Sequence, residues 1–296
     1  MVVLAPSGDV AMRQRDLLVH STLLMLVIIV PVMALTVWFA WHYRASNHKA
    51  RYEPDWHHST RLELVIWAAP LLIIICLGAL TWLGTHLLDP YRPLDRLGAN
   101  RPTPPHTASL RVDVVALDWK WLFIYPDSHI ATVNELVVPI DTPVDLHITA
   151  SSVMNSLYVP ELAGQVYAMP GMETRLHGVL NKVGVSHGFS GNYSGAGFSG
   201  MRFLFRGVTR ADFDKWVADV GKGTRSSDGA DSRAGAAPNG AQQLTRAAYT
   251  ALAKPSENEP VRHFSSPDPT LFHAIVNRCL AEGAMCMDPM HAMAHE

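Results

Sequence analysis

The chain has 296 residues, 48% of them hydrophobic, with 24 Lys and Arg against 26 Asp and Glu for a formal net charge of −2. That length carries one sizeable domain with additions, and the near-neutral balance excludes nucleic acid as a partner, since binders of phosphate backbones carry a basic excess. Cys76, Cys279 and Cys286 are too few for a disulfide framework and contain no Cys-x-x-Cys pair.

In chain order, residues 1–16 form a short leading segment, and residues 17–88 read as a two-helix transmembrane hairpin. Leu17 to Trp41 and Leu64 to Leu88 contain no Asp, Glu, Lys or Arg. Each run exceeds the ~20 apolar residues that cross a bilayer core. Trp38, Trp41, Tyr43, Trp67 and Trp82 sit towards run ends, where amphipathic rings favour the headgroup layer. The first run is too long for a signal-peptide core and no small-residue cleavage motif follows it. Pro31 falls inside it, which suits a helix packed against a membrane partner. Cys76 lies within the second run and reads as a buried, inert thiol. Between the runs stand Arg44, Lys49, Arg51 and Arg61 against Glu53, Asp55 and Glu63. By the positive-inside rule this loop is cytoplasmic and both termini lie outside the cytoplasm.

Residues 89–107 are proline-rich and read as an extended linker. Strand signals follow over 108–208. Leu110, Val112 and Val114 alternate with Arg111 and Asp113, and Val144, Leu146 and Ile148 alternate with Asp145, His147 and Thr149. Met201, Phe203 and Phe205 repeat the period. Such alternation, with turn residues between runs, predicts a β-sandwich. Thr209 to Asp212 opens like a capping box, and Phe213, Trp216, Val217 and Val220 keep helical spacing, so 209–220 is a helix. Residues 221–240, rich in Gly, Ser and Ala, read as a flexible linker. Residues 241–296 hold two short helices, over Leu244 to Leu252 and Thr270 to Leu280, and a Met/His-rich tail ending near His295. Its thioethers, thiol and imidazoles are soft ligands of the kind that suit Cu(I). A composition-biased extension is the plainer reading. Cys279 and Cys286 are free to pair in an oxidising compartment or to stay reduced.

The order of parts, with Ala116-Leu-Asp-Trp-Lys-Trp-Leu-Phe-Ile-Tyr125 opening the β domain, resembles subunit II of haem–copper oxidases. Phe39-Ala-Trp-His-Tyr-Arg-Ala-Ser-Asn47, Ser152-Val-Met-Asn-Ser156, Gln165-Val-Tyr-Ala-Met-Pro-Gly-Met172 and Tyr193-Ser-Gly-Ala-Gly-Phe-Ser-Gly-Met201 resemble its quinol-oxidising, cytochrome bo-type branch. The resemblance implies a membrane α-helical hairpin plus an all-β cupredoxin-like sandwich with short C-terminal helices. Relatives that oxidise cytochrome c hold a copper A pair with an early His and then Cys-x-Glu-x-Cys-x-x-x-His-x-x-Met. Here the early His falls on Asn155, and the other positions fall on Ser190, Asn192, Ser194, Phe198 and Met201. A serine hydroxyl does not ionise near neutral pH and is a poor ligand for this copper, and Phe198 has no donor atom. Met201 shares the alternating face of Phe203 and Phe205 and reads as a core residue.

The resemblance therefore implies a non-catalytic subunit of a proton-pumping ubiquinol oxidase of a bacterial inner membrane, with its β domain on the periplasmic side. It implies that no cofactor is bound by this chain. It places haems and copper in subunit I, makes ubiquinol the substrate and adds subunits III and IV as further partners. On the same reading cytochrome c is not expected as a partner. By position, the resemblance makes Glu63 a proton-entry candidate at the cytoplasmic edge; a helix N-terminal acid favoured by the macrodipole is the plainer reading. Asp118, Trp119 and Trp121 are partner-docking candidates, with core packing the other role for the tryptophans. His20 and His86, near the span ends, suit interfacial hydrogen bonds, and His57-His58 suits the solvent or a subunit contact. Two rival readings are a cytochrome c oxidase subunit with copper A and a membrane-tethered copper-binding or oxidase-assembly protein that uses the tail.

Overall fold

The computed structural model describes residues 2–51, 53–105, 107–223, 242–280 and 286–287. Most of the linker expected over 221–240, and the Met/His-rich tail apart from Cys286 and Met287, lie outside the described residues. The chain divides into two compact units, Arg13–Asp89, and Met1–Met12 with Pro90–Glu296.

The first unit is a pair of helices, α1 (Asp9–His42) and α2 (Thr60–Leu87). Both are long and apolar enough to cross a membrane. α1 starts eight residues before the charge-free run, because Asp9, Arg13, Arg15 and Asp16 wind into the helix ahead of Leu17. Within the apolar runs, threonine and histidine side chains bond to the backbone of their own helix. Thr36, Thr81 and Thr85 donate to Val32, Leu77 and Thr81 carbonyls at 2.8, 2.8 and 2.9 Å. His20 and His86 bond likewise to the Asp16 and Trp82 carbonyls. Such internal pairing is what a hydrocarbon solvent demands of polar groups. Gly84 gives the helices close contact: a Cβ there would stand 2.9 Å from Leu17 Cδ2. Cys76 is exposed on the outer surface of α2. The apolar run that suggested a protein-buried thiol instead faces outward, where lipid would cover it.

The second unit is a β-sandwich. Two short strands, β1 (Arg96–Gly98) and β2 (Arg101–Pro102), pair beside it. One sheet has six strands in the order β10 (Thr174–Val179), β7 (Pro143–Ala150), β3 (Leu110–Leu117), β4 (Lys120–Tyr125), β5 (Ile130–Val133) and β13 (Arg262–Ser265). The other runs β6 (Glu135–Pro139), β12 (Arg202–Val208), β11 (Gly184–Ser190), β8 (Asn155–Tyr158) and β9 (Val166–Ala168). β4 is buried on both sides. Its Trp121, Phe123 and Tyr125 meet the other sheet and the following helix: Phe203 lies 5.8 Å from Trp121 and 4.9 Å from Phe123, and Trp216 lies 5.4 Å from Tyr125. Gly188 makes room for Phe203, whose ring a Cβ would approach to 2.0 Å.

The other side of β4 is covered by the C-terminal segment. α3 (Arg210–Gly221) begins at Thr209, whose hydroxyl accepts from the Asp212 amide, and buries Phe213, Trp216 and Val220. After it, α4 (Arg246–Leu252), β13 and α5 (Leu271–Val276) bring Leu244, Tyr249, Leu252, Phe264, Leu271, Phe272 and Ile275 onto Val115, Leu117, Leu122, Ile124 and Val133. Burying each such side chain contributes on the order of 1.5–3 kcal/mol. β13 also covers the edge of β5, which would otherwise present unpaired backbone groups.

Candidate functional site

The positions suggested by the copper pattern gather at one end of the sandwich, where β8 begins and β11 runs on towards a short 3₁₀ turn, Ala196–Gly200. Ser190, the last residue of β11, is buried. Its hydroxyl lies 3.0 Å from Asn155 Oδ1 and 3.2 Å from the Asn192 carbonyl, and its amide donates to the Met201 carbonyl at 3.3 Å. Asn155 donates to the Val153 carbonyl, and Asn192 donates to the carbonyls of Met154 and Tyr193. Met201 is buried in the core, and Phe198 meets Tyr193 edge-on at 5.7 Å. Ser194 lends its carbonyl to the Trp119 indole N–H at 3.0 Å.

The structure thus brings Asn155, Ser190, Asn192 and Met201 together by hydrogen bonds and hangs Ser194 and Phe198 on the same loop. This donor set does not fit a copper pair. Bridging two coppers takes ionised sulfurs. Here a neutral hydroxyl stands at the first bridging position with its proton directed at amide and carbonyl oxygens, and the phenyl ring of Phe198 offers no lone pair.

Trp119 closes the loop from the β3–β4 turn. Its ring lies against Gly195 and Gly197, and a Cβ at Gly197 would reach 2.5 Å from Trp119 Cδ2. Gly195 also has φ +118, a region that L side chains rarely enter. Asp118, at the same turn, accepts from the Ser152 hydroxyl. Trp121 requires a correction: it is fully buried between the sheets and presents nothing to a partner. The two-residue spacing from Trp119 misleads because Trp119 sits in the turn, whereas Trp121 has already entered β4 with its ring facing Phe203.

Lys120, between the two tryptophans, was not singled out by its sequence and proves central. It is 1% exposed. Its ammonium donates to the Lys254 carbonyl at 2.8 Å, to Ser256 Oγ at 2.5 Å and to the Asp118 carbonyl at 3.4 Å. Burial lowers its pKa, against the pull of Glu259. Ser256 also donates its amide to the Asp118 carbonyl and its hydroxyl to Glu259. The turn that carries Trp119 is therefore held by the C-terminal segment. A second tie lies nearby: Glu135 bonds His263 at 2.7 Å and Arg206 at 3.2 Å. Burial pushes the Glu135 carboxyl up, but His263 and then Arg206 outweigh it and hold its pKa below the usual range.

Around the loop, Val153, Met154, Tyr167, Met172 and Tyr193 are exposed, Tyr193 by 75%. In the hairpin unit, Glu63 stands in the first turn of α2 and meets His58 Nδ1 at 2.7 Å; both are exposed. His57 bonds the Asp55 carbonyl. Cys279 and Cys286 are joined in a disulfide, so in this state Cys286 holds no thiolate for a soft metal.

Residues 125–208 match the family described as cytochrome c oxidase subunit II, periplasmic domain, and residues 239–283 match the one described as COX aromatic rich motif. The chain is 48% identical over 276 residues to the cytochrome bo(3) ubiquinol oxidase subunit 2 of Pseudomonas putida, covering 93% of this chain and 80% of the relative. It is 47% identical to the same subunit of Pseudomonas aeruginosa, covering 94% and 76%, and 43% identical to the ubiquinol oxidase subunit 2 of Acetobacter aceti, covering 93% and 81%. The chain belongs to the ubiquinol oxidase subunit 2 family. It is a membrane-bound subunit with a cupredoxin-like domain, and its kind works beside other subunits. In this family setting, the segment that clasps the Trp119 turn is the aromatic-rich motif.

Proposed function

We propose that this chain is the non-catalytic second subunit of a complex that oxidises ubiquinol, reduces O₂ to water and pumps protons across a bacterial inner membrane. The donor set of the 190–201 loop carries this reading. Asn155, Ser190, Asn192, Ser194 and Phe198 stand where a copper pair would need imidazole, thiolate and carboxylate ligands, so the domain binds no cofactor and takes no electrons from cytochrome c. Electrons enter instead from the membrane quinol at subunit I, which holds the haems and the active-site copper. The hairpin packs against subunit I, with both termini and the β domain on the periplasmic side; subunits III and IV complete the complex.

Within that assembly, Trp119 and Asp118 form a docking edge, framed by the exposed Val153, Met154, Tyr167, Met172 and Tyr193. Exposed apolar side chains grouped at one end of a domain mark a protein contact. Glu63, paired with His58 at the start of α2, collects protons on the cytoplasmic side.

The test is turnover of the purified complex with two electron donors. Ubiquinol oxidation without oxidation of reduced cytochrome c supports the assignment; rapid cytochrome c turnover overturns it.

A further inference from the structure

One group of ionisable side chains belongs neither to the docking end nor to the C-terminal clasp. It lies on the outer face of the six-stranded sheet. Strand register sets Arg111 opposite Asp145 and Asp113 opposite His147, and on the other side sets His177 opposite Asp145 and Arg175 opposite His147. Side chains that oppose one another across a ladder share a face.

Four of these groups form a line. Glu173 Oε1 lies 2.7 Å from His147 Nδ1, and His147 Nε2 lies 3.1 Å from Asp145 Oδ2. The other oxygen of Asp145 lies 3.5 Å from His177 Nδ1. Arg111 pairs with Asp113 at 2.8 Å, and Arg175 lies 3.4 Å from Glu173. Among the described residues, these two arginines and three carboxylates are the charged groups facing the histidines. His147 is 5% exposed, whereas Glu173 is one-third exposed and opens the line to water.

The two histidines differ in what they hold. Both ring nitrogens of His147 face carboxylates, an arrangement that only the doubly protonated ring satisfies with two N–H donors. Its hydrogen bond to Asp145, against burial, raises its pKa, while burial lowers that of His177. With His147 protonated, three cations face three carboxylates and the group is neutral. His177 is then an uncharged ring beside a carboxylate oxygen, able to accept one more proton.

The place of the group gives that capacity a use. The His177 amide donates to the Pro90 carbonyl at 3.1 Å, and Pro90 stands three residues after Leu87, the last residue of α2. The group thus lies beside the residue at which the chain enters the domain.

We propose that the Glu173–His147–Asp145–His177 line is a proton-holding site on the extracytoplasmic domain, taking up protons that the complex releases on that side and returning them to water. This rests on the reading of the complex as a proton pump. An arriving proton forms an N–H bond on the neutral His177 ring, and Asp145 stabilises the resulting imidazolium. Release to water breaks the same bond, so the site returns to its starting charge and consumes no other reactant. Burial weakens the hold of His177 on the proton, so the site empties as local acidification passes.

The test uses the intact complex in vesicles, oriented so that pumped protons emerge outside. One pH dye is attached to the β domain and another is free in the outer solution, and turnover is started with an oxygen pulse. In the unmodified complex the attached dye reports acid first and the bulk dye follows after a delay. His177→Gln removes that delay while quinol oxidation continues unchanged. Asp145→Asn, which leaves the ring but removes its counter-charge, does the same. Infrared difference spectra with ring-labelled histidine lose the imidazolium signal of the pulse in both. An unchanged delay in either variant, with the complex intact, overturns the proposal. Absence of outward acidification in the unmodified complex overturns the pump reading itself, and is seen before any variant is compared.

Discussion

The 190–201 loop and the C-terminal segment over 242–280 meet at the same turn of the β domain but are held by different physics. The loop is tied by neutral hydrogen bonds among Ser190, Asn155 and Asn192 and by glycine contacts with Trp119. The segment is tied by buried charges, the Lys120 ammonium on one side and Glu135 between His263 and Arg206 on the other. A neutral hydrogen bond contributes on the order of 1 kcal/mol. A buried charge that loses its partner costs several times that. The difference teaches where the domain can vary: the loop can exchange its hydrogen-bonding side chains at small cost, though not the glycines under Trp119, whereas the clasp cannot lose a charge.

Glu135→Ala breaks the comparison hardest. It leaves Arg206 and His263 facing each other without a carboxylate and lowers stability by roughly 3–5 kcal/mol, read as a drop in the melting temperature of the purified chain. Trp121→Ala, which opens a cavity against Phe203, costs about as much, roughly 3–5 kcal/mol. Because Trp121 lies in the core, this loss also appears in the chain without its partners, whereas truncation of a docking residue would spare the free chain. Lys120→Met removes a buried charge held by the Asp118 and Lys254 carbonyls and the Ser256 hydroxyl and frees the turn, so loosening should concentrate at Trp119 and at residues 254–259. Hydrogen exchange that rises there, while β3 and β7 stay protected, checks it. Ser190→Ala sits at the small end: about 1 kcal/mol, with Trp119 fluorescence unchanged.

Acid sharpens the same contrast. Glu135 has a folded pKa below its unfolded one, so its stabilisation is complete above the unfolded carboxylate value and fades as pH falls through the folded pKa. His147 runs the other way: its pKa is raised, so its contribution is complete below the unfolded histidine value and fades as pH rises through the folded one. Melting curves between acid and neutral pH should show the clasp loosening first on the acid side, and Glu135→Gln should flatten that limb.

The fold class was legible because its signals are periodic. Charge-free runs and two-residue alternation at Leu110–Val114 and Val144–Ile148 follow directly from what each face touches. β13 escaped notice because Arg262-His-Phe-Ser is four residues of mixed character, ordered by pairing with β5 rather than by its own pattern. Lys120 reads as a surface residue in any sequence, since lysines are seldom buried without partners. Its acceptors at 254 and 256 come from a segment more than a hundred residues away. The His147 group was equally hidden: its members sit on three strands, and only the register of β7 with β3 and β10 brings them together. The loop positions were visible as a comparison with the copper pattern, but the hydrogen bonds that replace the metal were not.

The most direct test of the account is electron paramagnetic resonance of the intact, oxidised complex, read together with copper counted against haem. The account predicts a single copper per complex and no signal from a mixed-valence copper pair. A mixed-valence signal assigned to this chain would contradict it, because the hydroxyls of Ser190 and Ser194 would then stand where the account says no such centre can be held.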